Sequence, residues 1–344
     1  MSFRFWRRIQ ILPGITLNLS KSGASISLGP RGAKLTLGPR GARATVGLPG
    51  TGLFYTTKLG SRKRKQSPVP VSGGPASGPP TDRLNLGFLQ RLLAPKEEEA
   101  LVDGCRELVQ GHDAAALTHL RNAVHLSDGA FLAGVLALKL GRLDEAADWL
   151  QRALDRRDEL GRSLAKYGIR ATVQIPITEE IAAVVEPNLP GLWLALVEVY
   201  QLSGQPVRAR AYLEQLLQHA PQDPVVRVSL AELLLETQPA DREACHRVVQ
   251  LAADVNPESP VHIALLLYKA RALRQLGLQD AARHTLNLAL RRPEGCSPEL
   301  VRALRYERAL VYEALGETTR ARREWERLYA EAPDYQDVAS RVGR

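Results

Sequence analysis

Histidines, cysteines and glycine-rich turns are the residues of this sequence whose types could support chemistry. His112, His119 and His125 lie near one another but have no carboxylate or cysteine partners at metal-ligand spacing, which favours packing or surface roles. Cys245 and His246 are adjacent, and adjacent residues on a helix point in different directions, which argues against a nucleophile and its base. The sequence therefore predicts no catalytic site and no metal site.

The turns and the remaining cysteines lead to the same prediction. The segment GPRGAK lacks the Gly-Lys-Ser/Thr ending of a nucleotide-binding P-loop and lies in a predicted hairpin. Cys105, Cys245 and Cys296 are widely spaced and outside any CxxC pair, so neither zinc nor a disulfide framework is predicted. We expect a non-enzymatic protein that uses no cofactor.

Charge is divided unevenly along the 344 residues. Residues 1–81 contain 13 Lys or Arg and no Asp or Glu, which leaves 33 basic and 37 acidic residues in the rest. A field of one sign over a small domain attracts anionic partners. No stretch approaches the roughly 18 consecutive apolar residues of a membrane span, and the cysteine pattern fits a reducing compartment. A cytoplasmic location is therefore predicted.

A nine-residue repeat occupies residues 1–60, the first predicted domain. Aligned from Leu17 it reads LNLSKSGAS, ISLGPRGAK, LTLGPRGAR, ATVGLPGTG and LFYTTK. Each unit has three alternating residues and then a Gly/Pro turn, which indicates short strands joined by tight antiparallel hairpins. A small all-β module with an antiparallel meander is predicted, and a parallel β-helix stays open as the alternative.

Cations and aromatic residues lie at the turns of this predicted sheet and on the face opposite its apolar face. The candidate anion-binding residues are Arg4, Trp6, Arg8, Arg31, Lys34, Arg40 and Arg43. Cations beside aromatic rings bind single-stranded nucleic acid or sugar-phosphate polymers. The alternative is that these are solvated residues that guard exposed strand edges against aggregation.

This amino-terminal segment resembles the bacterial family called domain of unknown function 4236. The resemblance covers about residues 1–59 and is carried by FRF, LNLSKSGASISLGPRGAK and VGLPGTGLFYTT. The family has no established activity that could be transferred to residues of this chain.

A Pro/Gly/Ser-rich segment, residues 61–83, follows and is predicted to be a disordered linker. After it, the spacing of Phe88, Leu89, Leu92 and Leu93 predicts a short amphipathic helix.

A longer repeat fills residues 84–344. In LWLALVEVYQLSGQPVRARAYLEQLLQHAP, large residues alternate with small ones at Gly204 and Ala209 before the terminating Pro221. Related sets recur and predict six helix pairs, and residues 97–334 resemble tetratricopeptide repeats. The resemblance implies a mainly α-helical solenoid whose first helices line a concave groove.

One period of this repeat is too long. Gly141 and Gly204 are 63 positions apart, so an insertion is predicted at about 158–190. Val173, Ile175 and Ile177 alternate as in a strand. The insertion is either a lid or partner-contacting excursion, or a connection between two sub-stacks, which the hydrophobic run slightly favours.

The predicted function is that of a scaffold or adaptor that binds a protein or peptide in the helical groove, with the basic module as a second interaction site. Polar residues at inward-facing positions of first helices are the groove candidates: Glu198, Gln201, Ser229, Arg271, Arg274 and Tyr306. Replacing Arg271 and Arg274 by alanine is expected to weaken binding with little loss of thermal stability. The alternative is a protein that binds nucleic acid or an anionic polymer through residues 1–65.

Overall fold

The structure is a computed structural model, and it describes residues 5, 14–19, 33–38, 41–47, 54–58, 94–177, 181–239, 241–291, 293 and 295–343. It divides into two compact units, one of residues 8–205 and one of residues 1–7 with 206–344. The predicted linker at 61–83 and the predicted helix around Phe88 lie outside the described residues. The predicted domain boundaries therefore stay a prediction.

Helices form most of the described chain after residue 95. They are α1 (Lys96–Gln110), α2 (Asp113–Arg121), α3 (Ser127–Lys139), α4 (Leu143–Asp155), α5 (Arg162–Lys166), α6 (Leu189–Leu202), α7 (Pro206–His219), α8 (Pro224–Thr237), α9 (Arg242–Leu251), α10 (Pro260–Gln275), α11 (Gln279–Ala289), α12 (Pro298–Ala314), α13 (Thr318–Glu331) and α14 (Val338–Val342). Apart from the short α5 and α14, their order is the one that the long repeat predicts. None of the helices described here has both the length and the apolar character that crossing a membrane requires.

Small residues let the two helices of a pair approach each other, as the repeat pattern predicts. A Cβ atom added to Gly134 of α3 would lie 2.6 Å from Cγ of Leu150 in α4, and one added to Gly104 of α1 would lie 2.7 Å from Cγ of Leu120 in α2. Close-packed interiors do not leave room for such an atom. These glycines therefore set the distance between paired helices.

The first helices α8, α10 and α12 begin in the same way. Asp223 Oδ1 accepts the main-chain N–H of Val225 at 2.9 Å, and Ser259 and Ser297 cap α10 and α12. A proline follows each of the three capping residues, at a position where its missing N–H costs no hydrogen bond. In the unit of residues 1–7 and 206–344, α10 packs against both α8 and α12. We call the surface that these three helices share the first-helix face.

Six described strands, four between residues 14 and 58 and two between residues 169 and 185, form one antiparallel sheet. Its strands are β1 (Gly14–Leu19), β2 (Ala33–Gly38), β3 (Gly41–Gly47), β4 (Phe54–Lys58), β5 (Ile169–Pro176) and β6 (Ile181–Val185). Their order across the sheet is β1-β5-β6-β4-β3-β2. All six strands belong to the unit of residues 8–205.

This order departs from the predicted meander. Strands β2, β3 and β4 are consecutive neighbours, as a meander requires, but the β5–β6 hairpin lies between β1 and β4. An all-β module built from residues 1–60 alone is therefore not shown. The hairpin comes from the predicted insertion at 158–190, whose strand the alternation indicated. The insertion was predicted to be either a lid or partner-contacting excursion, or a connection between two sub-stacks. Neither interpretation predicted that it would lie within the sheet.

Apolar alternation explains why the hairpin lies inside the sheet. Val173, Ile175, Ala183 and Val185 are buried, and the register pairs Val173 with Val185 and Ile175 with Ala183. On the outer sides of the hairpin, Val173 lies opposite Ile15 of β1 and Ala183 lies opposite Tyr55 of β4. Both edges of the hairpin are thus paired, which covers a hydrophobic run that would otherwise be an aggregation risk.

Two carboxylates fix the start of β5. Asp128 of α3 is fully buried and accepts the main-chain N–H groups of Gly161 at 2.5 Å and Leu164 at 2.9 Å. Burial raises the pKa of Asp128, although these hydrogen bonds oppose that rise. Glu98 of α1 accepts from Lys166 Nζ at 2.6 Å and from the hydroxyl of Tyr167. The short helix α5 and the residues beside it, which lead into β5, are therefore held by α1 and α3.

Candidate functional site

Three of the six predicted groove residues are buried. Glu198, Gln201 and Ser229 are 4%, 3% and 1% exposed. The hydroxyl of Ser229 donates to the carbonyl of Val225 in its own helix at 2.7 Å. Little of these side chains reaches the surface, so their role in binding stays a prediction without support from the geometry.

The other three predicted groove residues contact neighbouring side chains. Arg271 Nε and Arg274 Nε of α10 lie 3.6 Å and 2.5 Å from the carboxylate of Glu307, which is only 3% exposed in α12. Tyr306 donates its hydroxyl to Asp337 Oδ1 at 2.5 Å. Removing both arginines would leave the buried Glu307 carboxylate without these partners, and an unpaired buried charge is destabilising. The expectation that the double replacement costs little thermal stability stays a prediction, and this contact argues against it.

Another pair of residues on the first-helix face, Tyr268 and Glu232, forms a buried polar site. Tyr268 of α10 donates its hydroxyl to Oε1 of Glu232 in α8 at 3.1 Å, and the two residues are 2% and 6% exposed. Burial, together with the charge of Glu232, raises the pKa of Tyr268 well above its ordinary value of 10.0. The hydroxyl therefore keeps its proton at physiological pH. The Arg271 guanidinium lies 5.3 Å from the centroid of the Tyr268 ring, a cation–π distance.

This Glu232–Tyr268 site holds a residue from the amino terminus of the chain. The main-chain N–H of Phe5 donates to Glu232 Oε1 at 3.0 Å and to the Tyr268 hydroxyl at 3.2 Å. Phe5 itself is only 4% exposed. The site thus binds the main-chain donor of a residue whose side chain is also buried.

A positional signal in the sequence could have identified this site. Glu232, Tyr268 and Tyr306 each lie eight positions after the proline that begins their helix, and those prolines follow Asp223, Ser259 and Ser297. They are therefore equivalent positions on three successive first helices. The sequence prediction included Tyr306 but omitted the other two, since a tyrosine and a glutamate among apolar neighbours resemble core and solvated residues.

The predicted anion-binding residues lie mostly outside the described part of the chain. The residues outside the described part are Arg4, Trp6, Arg8, Arg31 and Arg40. Lys34 of β2 and Arg43 of β3 are in the sheet, where Lys34 lies opposite Thr45 and Arg43 lies opposite Lys58 of β4. Their role in anion binding stays a prediction.

Family comparisons confirm both resemblances. Residues 3–56 match the family described as protein of unknown function (DUF4236). Tetratricopeptide repeat models match residues 103–160, 190–233 and 303–335. The helical region is therefore a tetratricopeptide-like solenoid. A search of curated proteins found no match to the chain.

Solved structures with a similar fold are distant relatives in sequence. The C-terminal part of a TPR repeat-containing protein from Cytophaga hutchinsonii is 13% identical, with 76% of this chain and 92% of that chain covered and a TM-score of 0.47. A thermophilic TPR protein from Thermus thermophilus is 18% identical, with coverages of 63% and 97% and a TM-score of 0.37. YrrB, described as a TPR protein with an unusual peptide-binding site, is 10% identical, with coverages of 66% and 97% and a TM-score of 0.45. Similarity at this level identifies no ligand for this chain.

Proposed function

We propose that this chain is a non-enzymatic scaffold or adaptor that binds a protein or peptide on its first-helix face. The observation that carries the proposal is the contact of Glu232 and Tyr268 with the main-chain N–H of Phe5, together with the burial of Phe5. A main-chain donor and an apolar side chain are what an extended polypeptide offers to a groove. The site therefore suits a polypeptide ligand.

The charges of the site support the same proposal. Glu232 supplies a negative acceptor for N–H groups, while the positive charges of Arg271 and Arg274 face the carboxylate of Glu307. A hydrogen bond from an N–H donor to a charged acceptor contributes about 1.5–3 kcal/mol, and a buried phenylalanine side chain about 1.5–3 kcal/mol. Contacts of this size give binding that is reversible and depends on a few side chains.

Capture of proteins from a lysate of the producing cells, quantified by mass spectrometry, tests the proposal. The bait carries Phe5→Ala, which removes the buried side chain of Phe5. Tyr268→Phe, added to this bait, removes one hydroxyl without changing the volume much. We expect it to reduce the recovery of specific partners about fivefold to tenfold, because a buried acceptor loses its donor.

A matched control uses an exposed tyrosine. Tyr329 of α13 is 44% exposed, so Tyr329→Phe in the same bait should leave recovery unchanged. Equal recovery with Tyr268→Phe and Tyr329→Phe would assign partner binding to another surface and overturn the proposal.

We also propose strands β2 to β4, which contain Lys34, Arg43 and Lys58, as a second interaction site, for an anionic polymer. The observation that favours it is that Arg43 and Lys58 lie directly opposite each other on adjacent strands. Like charges at such positions destabilise a sheet, which is a cost that binding of an anion would remove.

Salt-dependent binding of single-stranded nucleic acid tests this second site. Replacing Arg31, Lys34, Arg40 and Arg43 with glutamine should weaken binding strongly at low salt and little at high salt, because fewer counterions are released. Unchanged binding at low salt would exclude these residues as an anion site.

A cytoplasmic location is proposed as well, since all three cysteines are free thiols.

A further inference from the structure

We propose that a surface cavity between α7, α8 and α9 binds a small organic carboxylate with an apolar body. The cavity has a volume of about 350 Å³, which lies at the lower end of the range of small-molecule sites. The residues that define its chemistry are Glu214, Leu217, Pro221, Arg227, Arg247 and Leu251. All of them belong to the unit of residues 1–7 and 206–344. The inference goes beyond the proposed function and does not depend on it.

Arg227 of α8 supplies a positive charge that is held in place. Its Nε donates to the main-chain carbonyl of Pro221 at 2.6 Å, and its Nη2 donates to Oε1 of Gln222 at 2.6 Å. Both acceptors are neutral, and no carboxylate of the described residues lies within ion-pair distance of Arg227. A guanidinium has five N–H donors, so further donors remain for a ligand. Because the side chain is already fixed, binding an anion costs it little conformational entropy.

A second cation of the cavity has only a weak partner. Arg247 Nη2 of α9 lies 3.5 Å from Oε2 of Glu214 in α7, and the two side chains are 44% and 35% exposed. An ion pair of this length and exposure contributes little to stability. Arg247 can therefore bind another anion at small cost.

The charges of the cavity favour a monoanion. Arg227 and Arg247 contribute two positive charges and Glu214 one negative charge, which leaves one net positive charge. A single carboxylate neutralises this charge. A phosphate dianion would bring a second negative charge close to Glu214, and like charges at short distance repel each other.

Apolar residues complete the lining and suit an apolar ligand body. Leu217 is half-buried and Pro221 is exposed, so ligand atoms that cover them would remove apolar surface from water. Arg227 also lines a neighbouring cavity of about 120 Å³, but that cavity contains Asp254 and Glu258. An anion is therefore expected in the larger cavity.

Methyl NMR spectra of the full-length chain with isotope-labelled leucines test the inference. The probes are isocaproate, which has a branched apolar body and a carboxylate, and its neutral amide, isocaproamide. At neutral pH and low salt, we expect isocaproate to shift the methyl signals of Leu217 and Leu251 with a Kd of about 1–5 mM. Isocaproamide should bind about tenfold more weakly, because it makes no charge-assisted hydrogen bond.

Substitutions at the two arginines assign the binding to the cavity. Arg227→Gln should weaken isocaproate binding about tenfold, and Arg247→Gln about threefold. Arg227→Lys keeps the charge and should stay within about threefold of the parent. Arg322→Gln of α13 is the matched control, since that arginine is 78% exposed and outside the cavity, and it should bind isocaproate as the parent does. Thermal melting checks that each variant is folded.

Three results would overturn the inference. They are equal affinity for isocaproate and isocaproamide, equal affinity of Arg227→Gln and the parent for isocaproate, and no shift of these methyl signals up to about 20 mM isocaproate. None of them bears on the proposed function, whose capture test depends on Tyr268 rather than on Arg227.

Discussion

The main-chain nitrogen of Phe5 lies 3.2 Å from the hydroxyl of Tyr268, across 263 positions of the sequence. Phe5 belongs to the segment that matches a family of unknown function, residues 3–56, whereas Tyr268 belongs to the helical solenoid. The segment therefore contributes a ligand-like residue to one compact unit and strands to the other.

The place of the β5–β6 hairpin in the sheet leads to a prediction about stability. Val173 is fully buried and lies opposite both Ile15 of β1 and Val185 of β6. Val173→Asp should destabilise the unit of residues 8–205 by about 3–5 kcal/mol, because it buries an unpaired charge. Hydrogen exchange measured by mass spectrometry should show lost protection in residues 14–19 and 54–58.

The neighbouring Gln174 supplies the control for this change. It is half-buried and points to the opposite face of the same strand, so Gln174→Asp should lower stability much less. If Val173→Asp leaves exchange in 14–19 and 54–58 as in the parent, these segments do not depend on the hairpin.

Gly134→Ala tests the close approach of α3 and α4. Alanine is the better helix former by about 1 kcal/mol, but the added Cβ would lie 2.6 Å from Cγ of Leu150. We expect a net loss of about 1–3 kcal/mol from overpacking, measured by urea unfolding. Gly343→Ala, where the nearest atom is 3.8 Å away, should show no such loss. A stabilised Gly134→Ala chain would contradict the packing described here.

Glu98 should make stability depend on pH in the acid range. Its burial alone would raise its pKa, but the hydrogen bonds from Lys166 and Tyr167 and the charge of Lys166 lower it overall from the usual 4.5. A carboxyl group with a lowered pKa in the folded state stabilises that state above its unfolded pKa and loses this effect as pH falls through the folded pKa.

Urea unfolding of the parent and Glu98→Gln between pH 3 and 7 measures this effect. The parent should be more stable by about 1 kcal/mol near pH 7, and the difference should shrink as the pH falls below 4.5. Glu326→Gln, which removes a half-exposed carboxylate paired with Arg322, is the control and should show a smaller difference. A Glu98→Gln difference that is constant over this pH range would contradict the assignment.

The cysteines should differ in reactivity. Burial raises the pKa of Cys105 to about 12, and burial also raises the pKa of Cys245, whose thiol donates to Gln275 Oε1 at 3.0 Å. Cys296 is only partly buried. Because the thiolate is the reactive form, a maleimide at neutral pH should modify Cys296 first, and all three cysteines only after denaturation. Rapid labelling of Cys105 in the folded chain would contradict its position.

Local patterns in the sequence predicted the helices, their small packing residues and the alternating strands. They did not predict which strands pair, because β1 and β5 are separated by about 150 positions and strand alternation carries no information about a distant partner. The Glu232–Tyr268 site was missed for a related reason. Glu198 and Ser229 have the right polarity and repeat position, but their burial depends on packing between helices, whereas Tyr268 becomes part of a site only through Glu232 and Phe5.

Site-specific photo-crosslinking from position 5 tests the central claim most directly. Phe5 is replaced by p-benzoylphenylalanine in the full-length chain, the chain is irradiated, and the crosslinked peptides are identified by mass spectrometry. We expect intramolecular crosslinks to α8 and α10, near Glu232 and Tyr268. Crosslinks that avoid residues 224–237 and 260–275 would contradict the claim that Phe5 lies at the Glu232–Tyr268 site of the first-helix face.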